Sequence, residues 1–184
     1  GPSRTAGIFI YGNRRNITIK NFGLSAYNGI VDSGTGTDAS GIYVDGILNN
    51  SLFYNNSIEV NGGADTIRSN GIYFNNKSYN NTFNNNSIDS QSGYSVYYHS
   101  TSTNDTIINN YIESGYSGII FETDALYPNI TSNNFRIAGG YLGACNDGTY
   151  HCFGVWSSGE VSNGTIKSNI FDDFGGGVAF TTST

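Results

Sequence analysis

Gly71-Ile-Tyr-Phe-Asn-Asn-Lys-Ser-Tyr-Asn-Asn-Thr-Phe83-Asn-Asn-Asn86-Ser-Ile88 is one unit of a repeat that runs through the chain. It opens on a strand signal. Twelve positions after the Gly comes an apolar lead, then an Asn three residues on and another apolar residue two beyond that. On either side, the opening signal recurs as Gly7-Ile-Phe-Ile, Gly41-Ile-Tyr-Val, Ser95-Val-Tyr-Tyr, Gly118-Ile-Ile-Phe, Gly154-Val-Trp-Ser and Gly177-Val-Ala-Phe. The lead residue recurs at Ile19, Phe53, Ile107, Ile130 and Ile166, always twelve positions after its opening. A spacing held this strictly is the signature of a stacked repeat.

Successive openings lie 34, 30, 24, 23, 36 and 23 residues apart. Alternation within the strand predicts one inward column of Ile8, Ile42, Ile72, Val96, Ile119, Val155 and Val178. A second holds Ile10, Val44, Phe74, Tyr98, Phe121 and Phe180, with Ser157 its weak member. Leu24, Ile58, Ile88, Ile112, Phe135 and Phe171 make a further apolar column. Asn56, Asn86, Asn110, Asn133 and Asn169 predict a ladder of stacked amides at a tight turn, which Phe22 interrupts in the first coil. Asn and Gly break every i, i+3, i+4, i+7 run, so helical solenoids are disfavoured. The expected fold is an all-β, right-handed parallel β-helix of about seven coils, one domain over 1–184.

On the units Ser40-Gly-Ile-Tyr-Val and Asn104-Asp-Thr-Ile-Ile-Asn-Asn-Tyr-Ile, the chain resembles β-helices of the pectin-lyase-like superfamily, and among them the NosD-like repeats, over roughly residues 7–180. The resemblance implies the fold and says little of function, since such repeats serve lyases, hydrolases, epimerases, adhesins and surface layers. The Gly-His-Gly and Arg-Ile-Lys segments of polygalacturonases are missing, although Asp172-Asp173 is similar to their paired aspartates. The Asp-Pro-His-Asp motif of mannuronan epimerases is missing too. Copper, which the NosD likeness raises, is poorly served by two histidines and no methionine.

A net charge of −6 disfavours nucleic acid, which needs clustered Lys and Arg. No apolar run is long enough for a transmembrane helix. Cys145 and Cys152 are expected to close a short disulfide loop. Nine sequons occur, at Asn16, Asn49, Asn55, Asn76, Asn80, Asn85, Asn104, Asn129 and Asn163. Together these features point to an extracellular or cell-surface glycoprotein. The opening Gly1-Pro2 reads as a processing scar. Strands close to both ends predict either a piece of a longer β-helix or head-to-tail stacking into a filament or surface layer.

Length variation concentrates in insertions at 25–40, 59–70 and 136–153, all at one coil position and hence along one edge. A groove is expected between the last two. Its floor would be the outward residues Phe9, Tyr43, Tyr73, Tyr97, Ile120, Trp156 and Ala179. Tyr43, Tyr73, Tyr97 and Trp156 are candidates for stacking against glycans; the alternative is that the rings stack on one another and cover the sheet. Asp45, Asn75, His99 and Glu122 flank them, with Asp124 nearby. His99, Glu122 and Asp45 are the catalytic candidates if the protein is an enzyme, because a His–carboxylate pair serves general acid–base chemistry. Glu59, Asp89 and Glu113 stand on consecutive coils as a candidate Ca²⁺ site or a solvated acidic ridge. The function expected is a non-catalytic surface module that binds glycans or proteins, or assembles. A polysaccharide-processing lyase, hydrolase or epimerase is the alternative.

Overall fold

The computed structural model describes residues 5–28, 39–62, 69–138 and 152–181. The chain is a right-handed parallel β-helix of about seven coils. Each full coil contributes one strand to each of four parallel sheets, one of seven strands and three of six. The first sheet carries the opening signal, from Thr5–Tyr11 through Ser69–Phe74 to Gly176–Phe180. Its register matches Ile42 with Ile8 and Ile72, and Tyr73 with Tyr43 and Tyr97, so identical roles stack coil upon coil.

The repeat holds more elements than its two apolar signals announce. The lead residue belongs to the third sheet, as in Thr82–Asn84, and the last apolar column to the fourth, as in Ser87–Ser90. Two-residue strands such as Ser78–Tyr79 form the second sheet between them and the opening strand. Strand also extends into segments expected as insertions: Gly23–Asn28 and Ser57–Gly62 continue past the last apolar column. Residues 29–38, 63–68 and 139–151 lie outside the described residues, and with them Cys145, His151 and most of the expected groove walls.

The predicted inward columns form one continuous core. Ile42, Ile72, Val96, Ile119 and Val155 are buried, as are Val44, Phe74, Tyr98 and Phe121. Rings stack along the axis, Phe53 on Phe83 at 4.6 Å and Phe74 on Tyr98 at 4.8 Å. Val178 and Phe180, expected inward, are exposed in the last strand, where no described coil follows to cover them. The opening Gly is fixed by packing: a Cβ on Gly71 would sit 2.3 Å from the Ile88 methyl and 2.5 Å from the Ser95 carbonyl oxygen.

Candidate functional site

The Asn ladder at the third corner forms as expected. Asn56 Nδ2 donates to Asn86 Oδ1 at 2.9 Å, and the relay continues through Asn110 and Asn133 to Asn169. Each Oδ1 also accepts the backbone N–H of the preceding coil, and each Nδ2 also reaches a carbonyl there, as Asn86 does to Phe53. Phe22 joins only through its backbone, donating to Asn56 Oδ1.

A second ladder, five residues earlier in each coil, went unrecognised in the sequence. Ile17 N donates to Ser51 Oγ, Ser51 N to Asn81 Oδ1, and Asn81 N to Asp105 Oδ1. Asp105 is 2% exposed. It also accepts the hydroxyls of Ser102, at 2.9 Å, and Ser78. Burial nevertheless pushes its carboxyl up to about 6, against the pull of these donors. The next residue in the series is Pro128, which has no N–H to satisfy.

Both corners turn through left-handed residues. Asn16, Asn50, Asn80, Asn104, Tyr127 and Asn163 hold one series, and Asn21, Asn55, Asn85, Asn109, Ser132 and Ser168 the other, with φ between 52° and 57°. Asn tolerates this conformation better than other residues with a Cβ. Six sequons follow from it: Asn16, Asn55, Asn80, Asn85, Asn104 and Asn163 are turn residues, and the Ser or Thr two positions later opens a strand. Their frequency therefore has a cause in coil geometry, independent of glycosylation. Asn49, Asn76 and Asn129 lie outside these two series.

On the first sheet's outward face the rings stack on one another, the second of the two readings of this column. Tyr43, Tyr73 and Tyr97 are buried, at 4%, 5% and 6% exposure, so their faces are not an open floor for sugars. Tyr43 and Tyr73 stack at 5.2 Å, Tyr97 meets Tyr73 edge-on at 4.8 Å, and Tyr94 and Trp156 pack against the group. Ring-on-ring packing uses the apolar surface that glycan stacking would need. Trp156 is half-buried; Phe9 is exposed and stacks on Tyr43 at 5.1 Å.

Two residues further along, the outward column is mostly polar, exposed at Tyr11, His99 and Glu122 and part-buried at Asp45, Asn75 and Ser158. It runs Tyr11, Asp45, Asn75, His99, Glu122 and Ser158. Asn75 Nδ2 donates to Asp45 Oδ1 at 3.0 Å. His99 Nδ1 contacts Glu122 Oε2, with the two side chains 50% and 41% exposed. His99 lies 6.3 Å from the rings of Tyr73 and Tyr97. Burial and the Glu122 carboxylate raise the Tyr97 phenol well above its ordinary value, which keeps it neutral. The structure thus pairs His99 with Glu122 and Asp45 with Asn75. Asp124 instead accepts the backbone N–H of Glu160 at 3.1 Å.

Glu59, Asp89 and Glu113 stand in direct register on the fourth sheet. They do not converge into a metal-ligating group, and no such cluster of His, Cys, Asp or Glu occurs among the described residues. The ridge relieves its repulsion in other ways. Partial burial, then Glu113 and Glu59, raise Asp89 to about 6. Tyr111 Oη donates to Glu113 Oε2 at 2.7 Å, and Arg136 follows in register. Cys152 is disulfide-bonded, and the chain's other cysteine is Cys145. Among the described residues no helix is long and apolar enough to cross a membrane. Comparison with known proteins finds no matching family model, no matching curated protein and no matching solved structure.

Proposed function

We infer that the protein is a non-catalytic, extracellular or cell-surface β-helix module that binds polysaccharide along the outer edge of its first sheet. The observation that carries this reading is the mostly polar column Tyr11-Asp45-Asn75-His99-Glu122. Parallel coils repeat every ~4.8 Å, close to the length of one sugar unit in an extended chain. Hydroxyls, amide, imidazole and carboxylates at that interval suit successive sugar hydroxyls. The Asp45–Asn75 and His99–Glu122 contacts hold the side chains in place before binding, which lowers the ordering cost. Exposed rings of Phe9 and Tyr11, stacked at 6.3 Å, offer an apolar platform at one end. The pectin-lyase-like, NosD-like resemblance agrees with a sugar ligand, and the Cys152 disulfide with an oxidising compartment. Binding is preferred to filament assembly because the column faces sideways and serves a free or a stacked molecule alike.

The His99–Glu122 contact favours one second reading, a polysaccharide-processing enzyme with His99 as general acid or base. One purified sample decides between them. Glycan-array binding with no release of reducing ends from acidic polysaccharides is the expected result, with binding lost in His99→Ala and Tyr11→Ala. Release of oligosaccharides that stops in His99→Ala and Glu122→Ala would establish the enzyme instead.

A further inference from the structure

The corner between the third and fourth sheets carries an open groove of about 300 Å³, on a different edge from the polar column. Its lining includes Asn55, Asn85, Asn109, Ser57, Ser87 and Tyr111. We propose that this groove is a second ligand site, taking a neutral, hydroxyl-rich glycan laid along the solenoid axis.

Each turn amide has hydrogen-bonding capacity left to offer. A carboxamide owns two N–H donors and two acceptor lone pairs. Asn55 Nδ2 donates to Asn21 Oδ1 at 2.9 Å, and Asn85 Nδ2 donates to Asn55 Oδ1 at 3.0 Å. These bonds fix the amides in a row, and each keeps at least one N–H and one lone pair for a ligand. Donor beside acceptor within one amide suits vicinal sugar hydroxyls, which both give and accept hydrogen bonds, and the repeat of ~4.8 Å is close to one sugar unit of an extended chain. Ser57 and Ser87 add hydroxyls on the adjoining strands, and the Tyr111 ring, held by its bond to Glu113, supplies an apolar face at the end of the row.

One feature sets this corner apart from the other left-handed turn, where Asn104, Asn80 and Asn49 form a similar row of amides. The ridge of Glu59, Asp89 and Glu113 runs beside the groove on the same sheet, which repels uronates and sulfated chains and selects neutral ones.

The test is calorimetric titration of the whole chain with cellohexaose, mannohexaose and a galacturonate hexamer. Asn55→Gly/Asn85→Gly removes the row while keeping residues suited to left-handed turns, and thermal unfolding verifies that it folds. The expected result is binding of a neutral hexasaccharide that weakens about tenfold or more in the double variant, with the galacturonate probe bound more weakly than the neutral one. Absence of heat with both neutral probes would overturn the proposal. So would galacturonate binding as tight as neutral binding. Loss in His99→Ala with the double glycine variant unaffected would assign the glycan to the first-sheet column alone, overturning the groove and sparing the column.

Discussion

The two interior ladders do one job with different chemistry. Both present a side-chain oxygen to the backbone N–H of the preceding coil at a corner where the sheets interrupt their own bonding. The ladder of Asn56, Asn86, Asn110, Asn133 and Asn169 is one residue type throughout, and every amide meets an amide. The ladder through Ser51, Asn81 and Asp105 changes type at each coil and ends at Pro128. A uniform ladder is self-complementary, since each member donates in one direction and accepts from the other. A mixed ladder survives only where each neighbour is adapted, as Ser78 and Ser102 are to the acceptor-only Asp105.

Removing one amide from the uniform ladder should do the most damage. Asn86→Ala leaves the Asn56 N–H, the Phe53 carbonyl and the Asn110 amide short of a partner in a buried setting. An unsatisfied buried group costs about 1–3 kcal/mol, so a loss of about 4 kcal/mol is expected in urea unfolding. A loss under about 1 kcal/mol would mean that water replaces the amide and the ladder is ornamental.

The mixed ladder should respond in the opposite sense. Asp105 has its folded pKa raised from 3.8 to about 6. Its stabilisation is therefore present below the unfolded value near 4 and is lost as pH rises through about 6. The shift corresponds to about 3 kcal/mol. Asp105→Asn should flatten this dependence and exceed the native protein in stability at pH 8, by less than that figure because the Ser contacts weaken. Unfolding at pH 4 and pH 8 measures it; a variant weaker than the native chain at pH 8 would show that the charge is needed. Asp89, also raised to about 6, is the part-buried counterpart. Solvent screening reduces its contribution, so Asp89→Asn should change the same pH difference in the same direction by under about 1 kcal/mol.

The contrast also explains what the sequence made legible. Ile42, Phe83 and Ile88 are apolar at fixed intervals, and Asn86 recurs by letter, so the core columns and the uniform ladder could be read directly. Ser51, Asn81, Asp105 and Pro128 share a geometric role and no letter, and a search for recurrence passes over them. The two-residue strands, such as Ser78–Tyr79, are too short to show a period. Of the candidate site, the order Asp45, Asn75, His99, Glu122 was readable as one column. The stacking of Tyr43, Tyr73 and Tyr97 on one another was readable as one of two alternatives, and alternation could not choose between them because it tells which side a ring faces and nothing of what lies on that side.

The smallest expected effect concerns Tyr127, the one aromatic residue in a left-handed series otherwise held by Asn. A bulky side chain at φ 55° is unfavourable, and this ring is 52% exposed, so packing recovers little of the cost. In the coils before it, Asn80 and Asn104 hold the same position and their amides donate sideways, Asn104 to Asn80 Oδ1 at 3.2 Å and Asn80 to Asn49 Oδ1 at 3.3 Å. Tyr127→Asn relaxes the backbone and extends that row by one coil. A gain of about 0.5–1 kcal/mol is expected, seen as a rise of a few degrees in thermal midpoint. A fall would mean that the Tyr127 ring holds the turn ahead of Pro128 in a way its exposure conceals, and that letter changes in a mixed series are adaptations at the outer turns as well as in the interior.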